Sequence, residues 1–392
     1  MHDYLQLQLD DTEKFLCSVL THRNALDCSL LKNLYDEVGD NRLFKSCEHN
    51  KISSIAGDAL AKCFGPTNTP GHWLEASVEV ENRITSYMVE LDKVANLLSS
   101  SGISLIALKN SGITRGLYPY YAACPMGDID VLVDKKDFRK AHEILLDHGY
   151  TFKFRSELEE EDIEKAEQGG GAEYSVELPD GKHLWFELQW RPVAGRWIRS
   201  DQEPEASELL KRAVKIDGSD VLLLSPEDNL IQVSLHTAKH SYVRAPGFRL
   251  HTDVDRIVRE TALDWDIFLA RVGELKIKTA VFFSLAFAHD LLGTPIPEKV
   301  LKALKPAGWK VRLLSRWLQK VGLFNPDGKK WGRLGYIIFV SLLYDDFGGW
   351  LGNVFPPKDW MMKRYNETRG YMLPVLHAKR LGNLVFQRVL NR

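Results

Sequence analysis

The spacing of apolar residues first divides off a helical N-terminal region. Over residues 1–98, apolar side chains recur at intervals of three and four, most regularly along 78–98. A turn-rich stretch at 64–71, which contains two prolines and two glycines, interrupts the pattern. We therefore predict two groups of helices that together form a helical region over residues 1–98.

Short runs of β-branched and aliphatic residues in the middle of the chain predict strands. The runs are residues 103–109, 129–133, 172–178, 184–190 and 213–224. Residues 135–148 have helical period, and Gly149 provides a stop after them. We predict a fold of α/β (α+β) class, with a small mixed sheet over residues 99–224.

A well-defined helix start at Ser225 marks the return to helical spacing. Ser225 can cap the helix, and Pro226 fits its first turn. Glu227 and Asp228 then favour the positive end of the helix dipole. Because most of the remaining chain keeps this pattern, we predict a helical C-terminal domain over residues 225–392.

The motif Gly-Asp-Ile-Asp-Val-Leu-Val at 127–133 carries the most chemical information. In a strand, residues i and i+2 point to the same face, so Asp128 and Asp130 project side by side. Close carboxylates repel each other unless a proton or a cation lies between them. Oxygen ligands favour Mg²⁺, with Mn²⁺ as the alternative ion. Glu187, in a neighbouring predicted strand, is the candidate third ligand, whereas a solvated edge or turn is the alternative interpretation.

An ordered set of motifs around this pair resembles an uncharacterised nucleotidyltransferase family of the DNA polymerase beta superfamily. The motifs cover about 160 residues, and together they are far more specific than any one of them. They are Leu-Ile-Ala-Leu-Lys-Asn-Ser-Gly-Ile from 105, the motif at 127–133, Phe-Glu-Leu-Gln-Trp at 186–190, Leu-Ser-Pro-Glu-Asp at 224–228, Leu-His-Thr-Ala-Lys-His at 235–240, Asp-Val at 253–254 and Leu-Asp-Trp at 263–265.

The resemblance implies a nucleotidyltransferase-type sheet and a two-metal reaction. Asp128, Asp130 and Glu187 are then both the metal ligands and the catalytic residues. The reaction implied is in-line attack on the α-phosphorus of a nucleoside triphosphate, ATP among the candidates, with pyrophosphate leaving. Relatives often occur beside genes for modified peptides, so the implied acceptor is a hydroxyl or phosphate of a peptide or small molecule.

The resemblance also implies the positions that surround the metal ligands. The nucleotide-binding positions are Lys109, Asn110, Ser111 and Gly127. The positions on the acceptor side or in the cleft are His236, Lys239, His240 and Asp253.

Three positions depart from the family pattern. Asn110 stands where relatives carry Gly after the lysine, Cys124 where an Arg is common, and Gln189 where a His is expected. The losses of the Gly and the Arg remove two phosphate contacts that the pattern implies. A binding module that keeps the fold without turnover is therefore an alternative function.

Two further motifs have competing interpretations. His236 and His240 are four residues apart on a predicted helix, as in zinc-binding pairs, but no Glu lies between them in the His-Glu-x-x-His manner. Core or surface histidines and residues lining the active site are the alternatives. A second Asp-x-Asp, at 253–255, precedes a helical run, where its carboxylates do not share a face and helix capping is the alternative role.

Charge adds a feature that the apolar pattern does not contain. The net charge is −2, from 51 Lys and Arg against 53 Asp and Glu, which excludes a globally basic nucleic-acid-binding protein. Residues 301–392, however, contain 17 Lys and Arg, 5 Asp and Glu and five tryptophans. RNA is thus a further candidate partner, and a toxin-like enzyme that modifies RNA or protein is another alternative. Solvated faces of amphipathic helices also explain this composition.

Cysteine content and apolar runs bear on the compartment. The five cysteines are odd in number and lack Cys-x-x-Cys spacing, which is typical of reduced thiols and favours a cytoplasmic protein. No apolar run reaches the roughly 20 residues that span a bilayer, and no secretory signal is visible. We therefore expect no integral membrane association.

Overall fold

Helices on both sides of one mixed sheet form the fold of the computed structural model. It describes residues 4–155, 161–179, 181–193, 202–240, 247–321, 323–324 and 333–385. The helices are α1 (Asp11–Leu20), α2 (Cys28–Val38), α3 (Asp40–His49), α4 (Ser53–Phe64), α5 (Gly71–Ser100), α6 (Lys109–Gly112), α7 (Phe138–Asp147), α8 (Ile163–Gly169), α9 (Ala206–Lys211), α10 (Pro226–His240), α11 (His251–Glu260), α12 (Trp265–Glu274), α13 (Lys278–Leu292), α14 (Glu298–Leu304), α15 (Gly308–Val321), α16 (Arg333–Leu342), α17 (Phe347–Val354), α18 (Lys358–Tyr365) and α19 (Leu373–Val385). The strands are β1 (Leu105–Ala107), β2 (Asp128–Leu132), β3 (Thr151–Phe152), β4 (Gly171–Glu177), β5 (His183–Gln189), β6 (Val214–Lys215) and β7 (Val221–Leu223).

The seven strands form one sheet in the order β3-β4-β5-β2-β1-β7-β6. The pairs β2–β5 and β1–β7 are parallel, and the other neighbours are antiparallel. The predicted class, a small mixed sheet flanked by helices, is confirmed. In this order β2 and β5 lie side by side, which puts the two strands with candidate metal ligands next to each other.

Apolar packing divides into two main cores that share helix α5. The first core joins helices from both ends of the chain and contains Phe15 and Phe287. The second lies between α5, α7 and one face of the sheet and contains Ile84 and Phe186. Helix α5 has 30 residues and is about 45 Å long, so that Trp73 near its start reaches the first core.

Local signals explain where several elements begin and end. The Asp228 amide donates to Ser225 Oγ at 3.3 Å, so the predicted cap of α10 is confirmed. The strand predicted over 213–224 is instead two short strands, β6 and β7, because the chain turns at Gly218 with a φ of +71°. The run at 103–109 forms only the three residues of β1 before Lys109 begins α6.

The cysteine prediction is confirmed for three residues and wrong for two. Cys17, Cys47 and Cys124 are free and buried. Cys28 and Cys63 instead form a disulfide between α2 and α4, with their Cα atoms 5.1 Å apart. The 35-residue separation hides this pair from sequence reasoning, because only helix packing brings the two residues within bonding distance.

Within the described ranges, no helix combines the length and the apolar character needed to cross a membrane.

The contact between α6 and β1 depends on a glycine. Gly112 has helical backbone angles, yet a Cβ atom there would lie 2.5 Å from the Ala107 carbonyl oxygen. Helix α6 can therefore approach the strand only without a side chain at this position. The contact also sets the position of Lys109 at the other end of α6.

We expect Gly112→Ala to destabilise the protein by about 1–3 kcal/mol, because backbone must move to admit the methyl group. Helix propensity alone predicts the opposite sign, a gain of roughly 0.5–1 kcal/mol. Denaturant unfolding measures the difference. Gly169→Ala is the matched control, since a Cβ atom at this helical glycine meets nothing within 4 Å. Equal stability of the two variants would contradict the steric explanation.

Candidate active site

Strand pleating and register bring three acidic side chains to one face of the sheet. Asp128 and Asp130 alternate along β2 with Ile129 and Val131, which are fully buried on the opposite face. In the parallel pair β2–β5, Asp130 lies directly opposite Glu187. The predicted pairing of side chains on one strand with a third on its neighbour is therefore present.

The three carboxylates form a compact group. One oxygen from each of Asp128, Asp130 and Glu187 lies within 4.8 Å of the other two. Across the described residues, this is the single group of three or more side chains found that could share an ion. An all-oxygen donor set fits Mg²⁺ or Mn²⁺.

Lys109 lies against this group from the protein interior. Its Nζ is 2.5 Å from Asp130 Oδ1 and 3.8 Å from Glu187 Oε2, and its side chain is 13% exposed. The residue has a φ of +52°, a left-handed conformation that is uncommon outside glycine. A strained conformation of this kind costs about 1–3 kcal/mol.

Two buried side chains fix the position of Asp130. The Ser111 hydroxyl accepts a hydrogen bond of 3.1 Å from the Asp130 amide. Gln189 is 2% exposed, and its Nε2 donates to Asp130 Oδ1 at 2.9 Å. Asp130 is thus held through both its backbone and its carboxylate.

Sequence reasoning missed two residues at the outer side of the group. Glu173 on β4 lies directly opposite Glu187 on β5, which extends the row of carboxylates by one strand. Arg155, after β3, places Nη1 2.6 Å from Asp128 Oδ2 and Nε 3.1 Å from Glu173 Oε2. The alternation in β4 is a usable signal for Glu173. Arg155 stands in no motif, and only the tertiary structure reveals it.

Burial and mutual charge shift the pKa values of this cluster. Burial raises the pKa of Asp130 well above its usual range, Lys109 opposes this increase, and Asp128 and Glu187 add to it. Burial lowers the pKa of Lys109, but the surrounding carboxylates outweigh it and the net pKa is raised. The pKa of Arg155 is also raised, because hydrogen bonds and charges from Glu173 and Asp128 outweigh burial. Both basic groups therefore stay charged.

Comparison with known proteins assigns the chain to a family. The sequence model of a family described as uncharacterised nucleotidyltransferases matches residues 36–293, well over half of the chain. This chain belongs to that family. Neither curated proteins nor solved structures provided a match. The resemblance inferred from the motifs is confirmed, and the matched range includes the whole sheet and all three acidic residues.

The departures from the family pattern have defined contacts in this structure. Asn110 Nδ2 donates to the Pro125 carbonyl at 3.3 Å, which links α6 to the loop before β2. Cys124 is buried, and its thiol contacts the Tyr118 carbonyl at 3.5 Å. Gln189 holds Asp130, as described above. Asn110 thus anchors the loop before β2, and Gln189 anchors the Asp130 side chain on β2.

Two of the predicted nucleotide-binding positions differ in accessibility. Gly127 is exposed, and a Cβ atom there would meet nothing within 4 Å. Ser111 is buried and bonded to the Asp130 amide. Their contacts with phosphate stay a prediction.

Asp253 lies beside a buried arginine, with its Oδ1 3.8 Å from Arg256 Nη1. It is buried in α11, and burial raises its pKa against the opposing charges of Arg256 and Arg249. Arg249 donates to the Pro125 carbonyl, and the charges of both Asp253 and Asp128 act on it. The motif at 253–255 lies inside α11 rather than before it, and the helix is capped at Leu250 without a side-chain hydrogen bond, so the alternative capping role is wrong.

The histidine pair lies on adjacent turns of α10. The rings of His236 and His240 have centroids 4.6 Å apart. Lys239 belongs to the same helix, but its side chain lies outside the described residues. The roles predicted for these three residues on the acceptor side stay predictions.

We expect Lys109→Met to lower the free energy of unfolding by about 3–5 kcal/mol in EDTA, because the carboxylates lose their buried counter-charge. Millimolar Mg²⁺ should restore part of the loss by neutralising the same oxygens. Thermal melting with and without the ion measures both effects.

Lys211→Met is the control for this experiment. Lys211 pairs with Glu208 at 2.6 Å, and both side chains are exposed, at 70% and 48%. Its removal should change stability very little, with no response to Mg²⁺. A Lys109→Met protein as stable in EDTA as the wild type would contradict the assigned charge balance.

Proposed function

We propose that the protein is a Mg²⁺-dependent nucleotidyltransferase that moves a nucleoside monophosphate from a nucleoside triphosphate to an acceptor. The acceptor group is a hydroxyl or phosphate of a peptide or small molecule. The observation that carries the proposal is the group formed by Asp128, Asp130 and Glu187, whose oxygens lie within 4.8 Å in a chain of this family. ATP is the first nucleotide to test, and Mn²⁺ is the alternative ion.

The donor set supports divalent ions as cofactors. Four carboxylates, including Glu173, stand within salt-bridge distance of Lys109 and Arg155, which leaves a formal excess of two negative charges. One divalent cation would neutralise that excess. When bound, such ions hold a triphosphate and stabilise charge on the attacking and leaving oxygens.

The chain's own residues supply orientation at this site. Gln189 and Ser111 hold Asp130 from its side chain and its backbone. Lys109 is a charged donor beside the ligand oxygens and is the residue proposed to reach the triphosphate. Gly127, which is exposed and precedes Asp128 in the chain, is proposed as a further nucleotide contact. Preorganised charge of this kind is the main contribution that a protein makes to phosphoryl-group transfer.

A labelled-nucleotide experiment tests the proposal. The protein is incubated with Mg²⁺, each α-labelled triphosphate and a cell extract, and transfer is compared with the double variant Asp128→Asn/Asp130→Asn. We expect transfer to fall by at least about 100-fold, because the developing charge loses its stabilisation. Glu177→Gln should retain activity, since Glu177 is exposed at the end of β4.

The fate of the label separates the candidate functions. Label sensitive to protease indicates a peptide or protein acceptor, label sensitive to ribonuclease indicates RNA, and label resistant to both indicates a small molecule. Nucleotide binding without transfer would favour the binding module. An absence of nucleotide binding with either Mg²⁺ or Mn²⁺ would exclude the enzyme.

Gln189 provides a separate test of the metal site. Gln189→Leu should weaken Mn²⁺ binding by about 10- to 100-fold, because Asp130 loses the hydrogen bond that orients it. Gln189→His, which restores the residue expected in relatives, should keep affinity closer to that of the wild type. Isothermal titration with Mn²⁺ measures both variants. Unchanged affinity in Gln189→Leu would contradict the orienting role.

A further inference from the structure

A guanidinium group covers the outer side of the carboxylate group. Arg155 Nη1 is 2.6 Å from Asp128 Oδ2, and Nη2 is 4.0 Å from Glu187 Oε2. Two of the three candidate ligands therefore contact one cation that the protein itself supplies. A divalent ion that bound those oxygens would compete directly with this cation.

The two cations at the site differ in their access to solvent. The side chain of Lys109 is 13% exposed, whereas that of Arg155 is 38% exposed. Arg155 also lies over the Trp185 ring, 5.7 Å from its centroid. An ion or nucleotide that enters from solvent therefore meets Arg155 before Lys109.

The backbone of Arg155 is tethered independently of its contact with the ligands. Its amide donates to Glu173 Oε2 at 2.8 Å, and its Nε donates to the same oxygen at 3.1 Å. Glu173 is not one of the three candidate metal ligands. Displacement of the guanidinium from Asp128 would therefore leave Arg155 at the edge of the site.

The energetics favour exchange of this contact. A partly exposed ion pair contributes little to stability, so an incoming divalent ion can replace it at low cost. The released guanidinium would face the negative charge that a metal-bound triphosphate brings. Its planar donor fork matches phosphate oxygens, often through two parallel hydrogen bonds.

We propose that Arg155 is a substrate-positioning residue that exchanges partners: it neutralises Asp128 and Glu187 before ions bind and then binds the triphosphate. This inference rests on the proposed function, because it assigns a triphosphate to the same site. It makes Arg155 a competitor of the ion and a contributor to nucleotide affinity. A merely structural arginine would have neither effect.

Two binding measurements on the full-length protein test the exchange. The first titrates Mn²⁺ without nucleotide and follows the free ion by electron paramagnetic resonance. Arg155→Gln should bind Mn²⁺ about twofold to fivefold more tightly than the wild type, because the competing charge is gone. Arg155→Lys keeps a charge and should bind it with nearly wild-type affinity.

The second measurement titrates a non-hydrolysable ATP analogue at saturating Mn²⁺. Arg155→Gln should bind the analogue about tenfold more weakly, because a charge-assisted contact with phosphate is lost. Arg155→Lys should lose part of that affinity, since lysine lacks the planar fork. Thermal melting of each variant verifies that it is folded.

Arg139→Gln is the matched control. Arg139 pairs with Glu167 at 2.8 Å, and its side chain is 42% exposed, close to the value for Arg155. Its removal should leave both affinities unchanged.

The outcomes separate this inference from the function on which it rests. Unchanged or weaker Mn²⁺ binding by Arg155→Gln would overturn the competition. Unchanged binding of the analogue by this variant, beside a wild type that binds it, would overturn the positioning role alone. A wild type that binds Mn²⁺ but no nucleotide would overturn the proposed function and the exchange together.

Discussion

Repulsion among clustered carboxylates is the constraint around which the central part of this protein is arranged. Asp128, Asp130 and Glu187 lie within 4.8 Å of one another at one face of the sheet. Such a cluster persists only if positive charge accompanies it. Lys109 from the interior and Arg155 from the solvent side supply that charge, and both pair with carboxylate oxygens of this cluster at hydrogen-bond distance.

The same constraint explains the unusual local geometry at the end of β1. Lys109 adopts a left-handed backbone conformation, and Gly112 permits the close approach of α6 to the strand. Both features keep the ammonium group beside Asp130. Asn110 ties this turn to the loop before β2 through the Pro125 carbonyl. The strained backbone of Lys109 is thus found at the point where its ammonium group contacts the carboxylates.

The residues that depart from the family pattern participate in this arrangement. Gln189 donates a hydrogen bond to Asp130, so the amide performs an orienting task from the position where a histidine is expected. Asn110 supports the adjacent loop, although it cannot offer the bare backbone of glycine. Cys124 is buried and brings no charge, while Arg249 reaches the neighbouring Pro125 carbonyl from the C-terminal half of the chain. Departure from a motif therefore has different consequences at each position.

The fold class, the main strands and the pair Asp128 and Asp130 follow from the amino-acid pattern alone, because they depend on apolar periodicity and on the two-residue repeat of a strand. Glu187 follows from the same alternation, which predicts both its strand and its face. The pairing of the strands, the division of a strand by the turn at Gly218 and the contact of Cys28 with Cys63 become visible in the folded chain. The same is true of Arg155 at the site. Such contacts join residues far apart in sequence, and local patterns carry no information about which distant side chains packing will bring together.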